Sequence, residues 1–119
     1  MAGKMVMFCG SGSVEKAFPP FIVGLGAKSS DMDVVLFFTM SGLDIVKKGG
    51  AEKIVLPNAP MTLPEFIKNS MDAGIKFLAC SAAMEVLGMT KDDLIDGVTV
   101  AGVATFINEA KDADVVLTF

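Results

Sequence analysis

Three short apolar runs, Met5 to Phe8, Val34 to Phe38 and Ile75 to Ala79, constrain this chain more than anything else in it. The second is β-branched and aromatic without a break, and the third is interrupted only by Lys76. Runs this short and this rich in such residues read as strands rather than helices. Because they do not alternate apolar with polar, they predict strands covered on both faces, as in a parallel sheet flanked by helices. Val34 to Phe38 is expected at the centre of that sheet.

Helix punctuation lies between the runs. Thr62-Leu-Pro-Glu65 is a capping box with proline in the first turn, and Leu63, Phe66, Ile67 and Met71 recur at helical spacing until Gly74 stops the helix. Ser41 to Asp44 signals a short helix that Lys47, Lys48, Gly49 and Gly50 close. Pro19-Pro20 belongs at a helix start or kink. In the helix that follows, Gly24 and Gly26 permit a close neighbour at about 1 kcal/mol each relative to alanine. Lys53 to Leu56 reads as a minor strand or an extended connection, Thr90 to Asp93 as a further cap with Gly97 as its stop, and Ala101 to Ala110 as a helix with Val103, Phe106 and Ile107 on one face. Val115 to Phe119 reads as a last strand. This alternation predicts an α/β fold over residues 1–119: a single domain of three layers, with a mostly parallel sheet flanked by helices and right-handed crossovers.

Composition removes several kinds of chemistry. The chain has no histidine, so Ser-His-Asp and Cys-His arrangements cannot be built within it, and a zinc site would need both cysteines plus carboxylates. No metal or cofactor is expected. Ten Lys plus Arg against fourteen Asp plus Glu give a net charge of −4 without a basic run, which disfavours nucleic acid. The opening Met1-Ala-Gly-Lys4 leads into strand-like sequence without a secretory pattern, so the cytoplasm is the expected location and reduced thiols the expected state of Cys9 and Cys80. Hydrophobic residues reach 52% against 20% charged, yet no apolar run approaches the ~20 residues of a spanning helix. Subunit contacts are the expected home for the excess. The nine methionines, scattered over strands and helices, read as core filler rather than a soft-metal surface.

In a parallel sheet the carboxyl ends of the strands share one edge, where ligands bind. Cys9, Thr39 and Cys80 each follow a strand and are expected there. Cys80 stands where a strand gives way to a helix with Ser81 as its N-cap, a junction whose free N–H groups and helix dipole favour a thiolate. It is the candidate nucleophile, or else a small buried hydrophobe. Cys9 is a candidate second thiol or an inert one, and Gly10-Ser-Gly-Ser13 is read as a tight turn in preference to an anion cradle, since the P-loop lysine and third glycine are missing.

Four stretches carry a family resemblance: Phe37-Phe38-Thr39-x-x-Gly42-Leu43, Lys76-Phe-Leu-Ala-Cys80-Ser-x-x-Met84-x-x-Leu87-Gly88-Met89, Asp92-x-Leu94-Ile95-Asp96-Gly97-Val98, and Ala101-Gly-Val103. Together they resemble the DsrE/DsrF-like family, with Pro19-Pro20 and a short Pro57 to Pro60 loop as departures from its pattern. The resemblance implies a small subunit assembling into trimers or hexamers and a role in cytoplasmic sulfur trafficking. It also implies that Cys80 takes sulfur as a persulfide from a donor protein and hands it to an acceptor protein. Sulfur transfer of this kind needs no histidine base, because a thiolate or persulfide is already a strong nucleophile near neutral pH. Ser81 is a candidate hydrogen-bond donor to the sulfur, with Thr39 and Cys9 as further site candidates. Two other functions fit the same residues: a non-catalytic oligomeric module binding a small ligand or partner at the sheet edge, and a redox protein pairing Cys9 with Cys80.

Overall fold

The computed structural model describes residues 3–119; Met1 and Ala2, which begin the opening stretch, lie outside the described residues. Five strands, β1 (Lys4–Cys9), β2 (Asp33–Phe38), β3 (Lys76–Cys80), β4 (Val98–Ala101) and β5 (Val115–Thr118), form one sheet in the order β4-β3-β2-β1-β5. Every neighbouring pair in it is parallel. The helices are α1 (Val14–Ala17), α2 (Pro19–Ser29), α3 (Leu43–Val46), α4 (Leu63–Asp72), α5 (Ser81–Val86) and α6 (Val103–Lys111). The α/β reading holds, and β2 is the central strand.

The handedness of the connections arranges the layers. From β1 to β4 the chain steps one strand at a time in one direction, so right-handed crossovers keep α1 to α5 on one face. The return from β4 to β5 runs the other way across the sheet, and the same rule sends α6 to the opposite face. Strand register confirms the division. Met7, Leu36 and Phe77 align on the first face, where Phe21 of α2 stacks on Phe38 and Phe77 with ring centroids 6.2 and 5.9 Å apart. Phe8 and Phe37 align on the second face, where Phe106 of α6 approaches them at 5.2 and 4.9 Å.

The second face is the thinner one. Besides the aromatic cluster, α6 is held by Glu109, whose two carboxylate oxygens accept from Lys4 Nζ at 2.6 Å and Lys76 Nζ at 2.8 Å. One carboxylate thus ties the helix to β1 and β3 across the central strand. A nine-residue helix is only about 13 Å long and cannot cover five strands. Val103 and Ile107 remain 53% exposed on its outer side, and Val116 and Thr99 are exposed on the outer strands.

Several local expectations change. Ala101 ends a strand instead of opening a helix: Val98-Thr-Val-Ala101 pairs with β3, and α6 starts two residues later. Val103 and Ile107 therefore do not share a buried face with Phe106. Lys53 to Leu56 is neither helix nor strand beyond the end of a short 3-10 turn, Ala51–Lys53. Ser41 to Asp44 forms a 3-10 turn and one helical turn without a side-chain cap bond. The Thr62 capping box is present in full, with Glu65 N–H donating to Thr62 Oγ1 and Thr62 N–H to Glu65 Oε1. Pro19 and Pro20 occupy the first turn of α2. No helix among the described residues is long and apolar enough to cross a membrane.

The Glu109 clamp makes stability depend on pH. Its carboxyl is held below the usual glutamate range, first by the hydrogen bond from Lys4 and then by that from Lys76. A lowered folded pKa contributes stability that is present above the unfolded value of about 4.3 and is lost as pH falls through the folded one. Urea unfolding of the unmodified chain and Glu109→Gln should show the variant weaker at pH 7, with the gap closing as the pH drops below 4. A gap unchanged with pH would contradict the clamp.

Candidate functional site

The carboxyl ends of the strands do meet on one edge, and two glycines pack the exits of β1 and β2 together. A side chain on Gly42 would collide with the Cys9 carbonyl oxygen, and one on Gly12 would press on the Ser41 carbonyl oxygen. Gly10-Ser-Gly-Ser13 is thereby a packing turn, in which Ser13 N–H donates to Ser11 Oγ at 3.2 Å. Met40, two residues past the end of β2, has a left-handed φ of 48°, a strained backbone for a residue other than glycine. It reverses the chain just past Thr39, whose own backbone is still extended and whose N–H donates to Cys9 O at 3.0 Å.

The strands deliver the site candidates to different faces. Cys9 aligns with Phe38 and Ala79, all on the face of α2. Alternation then turns Cys80 to the face of α6, with Ala101 as its partner on one side and, on the other, Thr39, which continues the extended backbone one residue past the end of β2. Cys9 and Cys80 thus stand on opposite faces with β2 between them, about 10 Å apart by strand spacing. A disulfide needs Cα atoms within about 7 Å and converging side chains, so this fold does not pair them. Cys9 is also fully buried, which pushes its thiol up to about 12, and its Sγ points at Met7 O at 3.9 Å. It stands at the carboxyl end of β1, on the face of α2 and turned away from Cys80.

Cys80 is 3% exposed and is itself the N-cap of α5, with Ser81 one position inside the helix. The shift by one residue follows from the strand pairing, which holds Cys80 against Ala101. Its sulfur makes no cap bond to the amides of α5. Ser81 is exposed, and its Oγ lies 3.9 Å from where a side chain on Gly102 would begin. Thr39 is 7% exposed, one of two buried polar side chains among the described residues; the other is Ser70, on α4.

Two connections diverge at this point. The chain leaves β3 into α5 on one face and leaves β4 into α6 on the other, and such a split between neighbouring strands marks the place where parallel sheets bind ligands. Cys80, Ser81, Ala101 and Gly102 lie at that split. Sequence reading missed the Gly102 side because it missed β4; the β-branched Val98-Thr-Val100 after Gly97 was the available signal. A separate depression of about 450 Å³ beside Ser81 is lined by Met84, Met89, Lys91 and Val100, on the face away from the Cys80 side chain. Among the described residues, no three His, Cys, Asp or Glu side chains cluster as a metal site would require.

Known proteins are similar to this chain in sequence or in fold. The sulfur carrier protein DsrE2 of Allochromatium vinosum is 26% identical over 153 aligned positions that cover 96% of each protein. The uncharacterized protein YrkE of Bacillus subtilis is 27% identical over 143 positions, covering 88% of this chain and 89% of YrkE. Both alignments are longer than the chain, so the relatives carry residues it lacks. Escherichia coli YchN has the same fold, with a TM-score of 0.79 and 20% identity over 98% of this chain and 99% of that one. The sequence profile of the DsrE/DsrF/DrsH-like family matches residues 1–60 and 51–118, and the chain belongs to that family.

Proposed function

We propose that this protein is a sulfur carrier of the cytoplasm that holds sulfane sulfur as a persulfide on Cys80. The observation that carries the reading is the place of Cys80: the last residue of β3, where the exits into α5 and α6 diverge. Family membership and the sulfur carrier DsrE2 among the relatives support sulfur as the cargo. In loading, the Cys80 thiolate attacks the outer sulfur of a donor persulfide; a sulfur–sulfur bond forms on Cys80, the donor's breaks, and the donor leaves as a thiolate. In delivery, an acceptor thiolate attacks the outer sulfur and Cys80 departs as the thiolate. Nothing is oxidised or reduced overall, and no histidine base is needed.

The carrier acts as a homo-oligomer, trimer or hexamer, with donor and acceptor proteins as its partners. The half-covered face supports self-assembly: Val103, Ile107 and Val116 are each about half exposed on the side that α6 leaves open. Covering each would gain roughly 1 kcal/mol, half the value for a fully buried aliphatic side chain. With Cys80 as the sulfur carrier, Cys9 is a spectator, since burial keeps its thiol protonated.

Intact mass after exposure to inorganic polysulfide tests the reading, with native mass spectra counting subunits in the same samples. A gain of one sulfur atom, removed by reductant, should appear on the unmodified chain and on Cys9→Ser and be absent from Cys80→Ser. Loading that survives Cys80→Ser would sink it. Diamide treatment of the folded protein should yield no disulfide within the chain; a Cys9–Cys80 bridge in peptide mapping would restore the redox alternative.

A further inference from the structure

We infer that the terminal sulfur of the Cys80 persulfide is held by the Thr39 hydroxyl and the open amino end of α6, on the face opposite α5. This rests on the carrier reading and names the groups that receive the anion. Sequence logic points to the amides of α5, the helix that follows Cys80. Strand alternation points elsewhere: Lys76, Leu78 and Cys80 share one face, and Lys76 meets Glu109 of α6 there. A second sulfur added to Cys80 starts out on the α6 side.

Two groups on that side lack partners. Thr39 sits beside Cys80, one residue past the end of the next strand, is more than nine-tenths buried, and its hydroxyl makes no hydrogen bond within the described residues. Ser70 Oγ is the one fully enclosed side-chain oxygen left without a partner among the described residues, so the Thr39 hydroxyl is reached by solvent and is free to donate to an anion on Cys80. Its position is fixed by the Cys9 carbonyl bond on one side and the strained Met40 on the other. The second group is the start of α6. Gly102 is its N-cap, directly after the residue paired with Cys80, and it offers no side chain to the first amides of the helix. Serine, threonine or aspartate would ordinarily take those N–H groups. Left free, they and the positive end of the dipole favour an anion. A persulfide, anionic and extended one bond beyond Sγ, fits between the two.

The test uses the full chain, inorganic polysulfide as the probe, and persulfide occupancy at a fixed polysulfide concentration as the readout. Thr39→Val keeps shape and removes the donor. Gly102→Asn supplies a neutral cap that occupies the α6 amides; φ at Gly102 is −82°, and a side chain there meets only Ser81 Oγ, so the substitution fits. Each should lower occupancy about tenfold, the scale of one hydrogen bond to a charged group. Thr39→Ser and Gly102→Ala should load like the unmodified chain, and Gly102→Asn should melt no lower than it. Equal loading by all variants overturns this assignment while leaving the carrier reading intact. No loading by the unmodified chain overturns both. If Thr39→Val does not fold, the Gly102 pair decides alone.

Discussion

The right-handedness of one crossover determines most of what this protein can do. With β5 placed beside β1, the chain must return from β4 across the whole sheet, and that return puts α6 alone on one face. Three consequences follow from it. The exits of β3 and β4 split to opposite faces at Cys80. The amino end of α6 follows directly after Ala101, the β4 partner of Cys80. And a single nine-residue helix leaves apolar surface open, which suits a subunit that assembles with copies of itself.

The same sheet places its two cysteines on opposite faces. Cys9 lies on the face of α2, fully buried below the turn that Gly42 packs against, and burial pushes its thiol up to about 12. Cys80 ends a strand on the thin face, beside an unbonded threonine hydroxyl and an uncapped helix. One strand of separation and one step of alternation account for the difference. The Glu109 clamp matters for the same reason: it fixes α6 to β1 and β3 at the far end, so the amino end of the helix is held at the split beside Cys80.

Much of this is legible in the residues alone, where local signals suffice. Val34 to Phe38 needs no context to be a strand, and the Thr62 box needs none to open a helix. The junction at Cys80 is visible as a change from strand-like to helix-like sequence. What stays hidden depends on pairing between distant segments. Val98 to Ala101 is a four-residue edge strand with only Val98 buried, and its state is decided by β3 rather than by its own propensity. Ala101, a good helix former, merges with the following helix when read locally. Missing that strand conceals the split and Gly102 with it. Strand order is equally non-local, so the separation of Cys9 from Cys80 cannot be read from either neighbourhood, although Thr39 and Cys80 are both found as strand-end residues.

A crystal structure of the protein after polysulfide treatment would show where added sulfur sits. A second sulfur is expected on Cys80, lying on the α6 side between Thr39 and Gly102, with Cys9 unmodified. Added sulfur on Cys9, or a Cys80 left bare in crystals whose dissolved protein carries the added mass, would contradict this expectation.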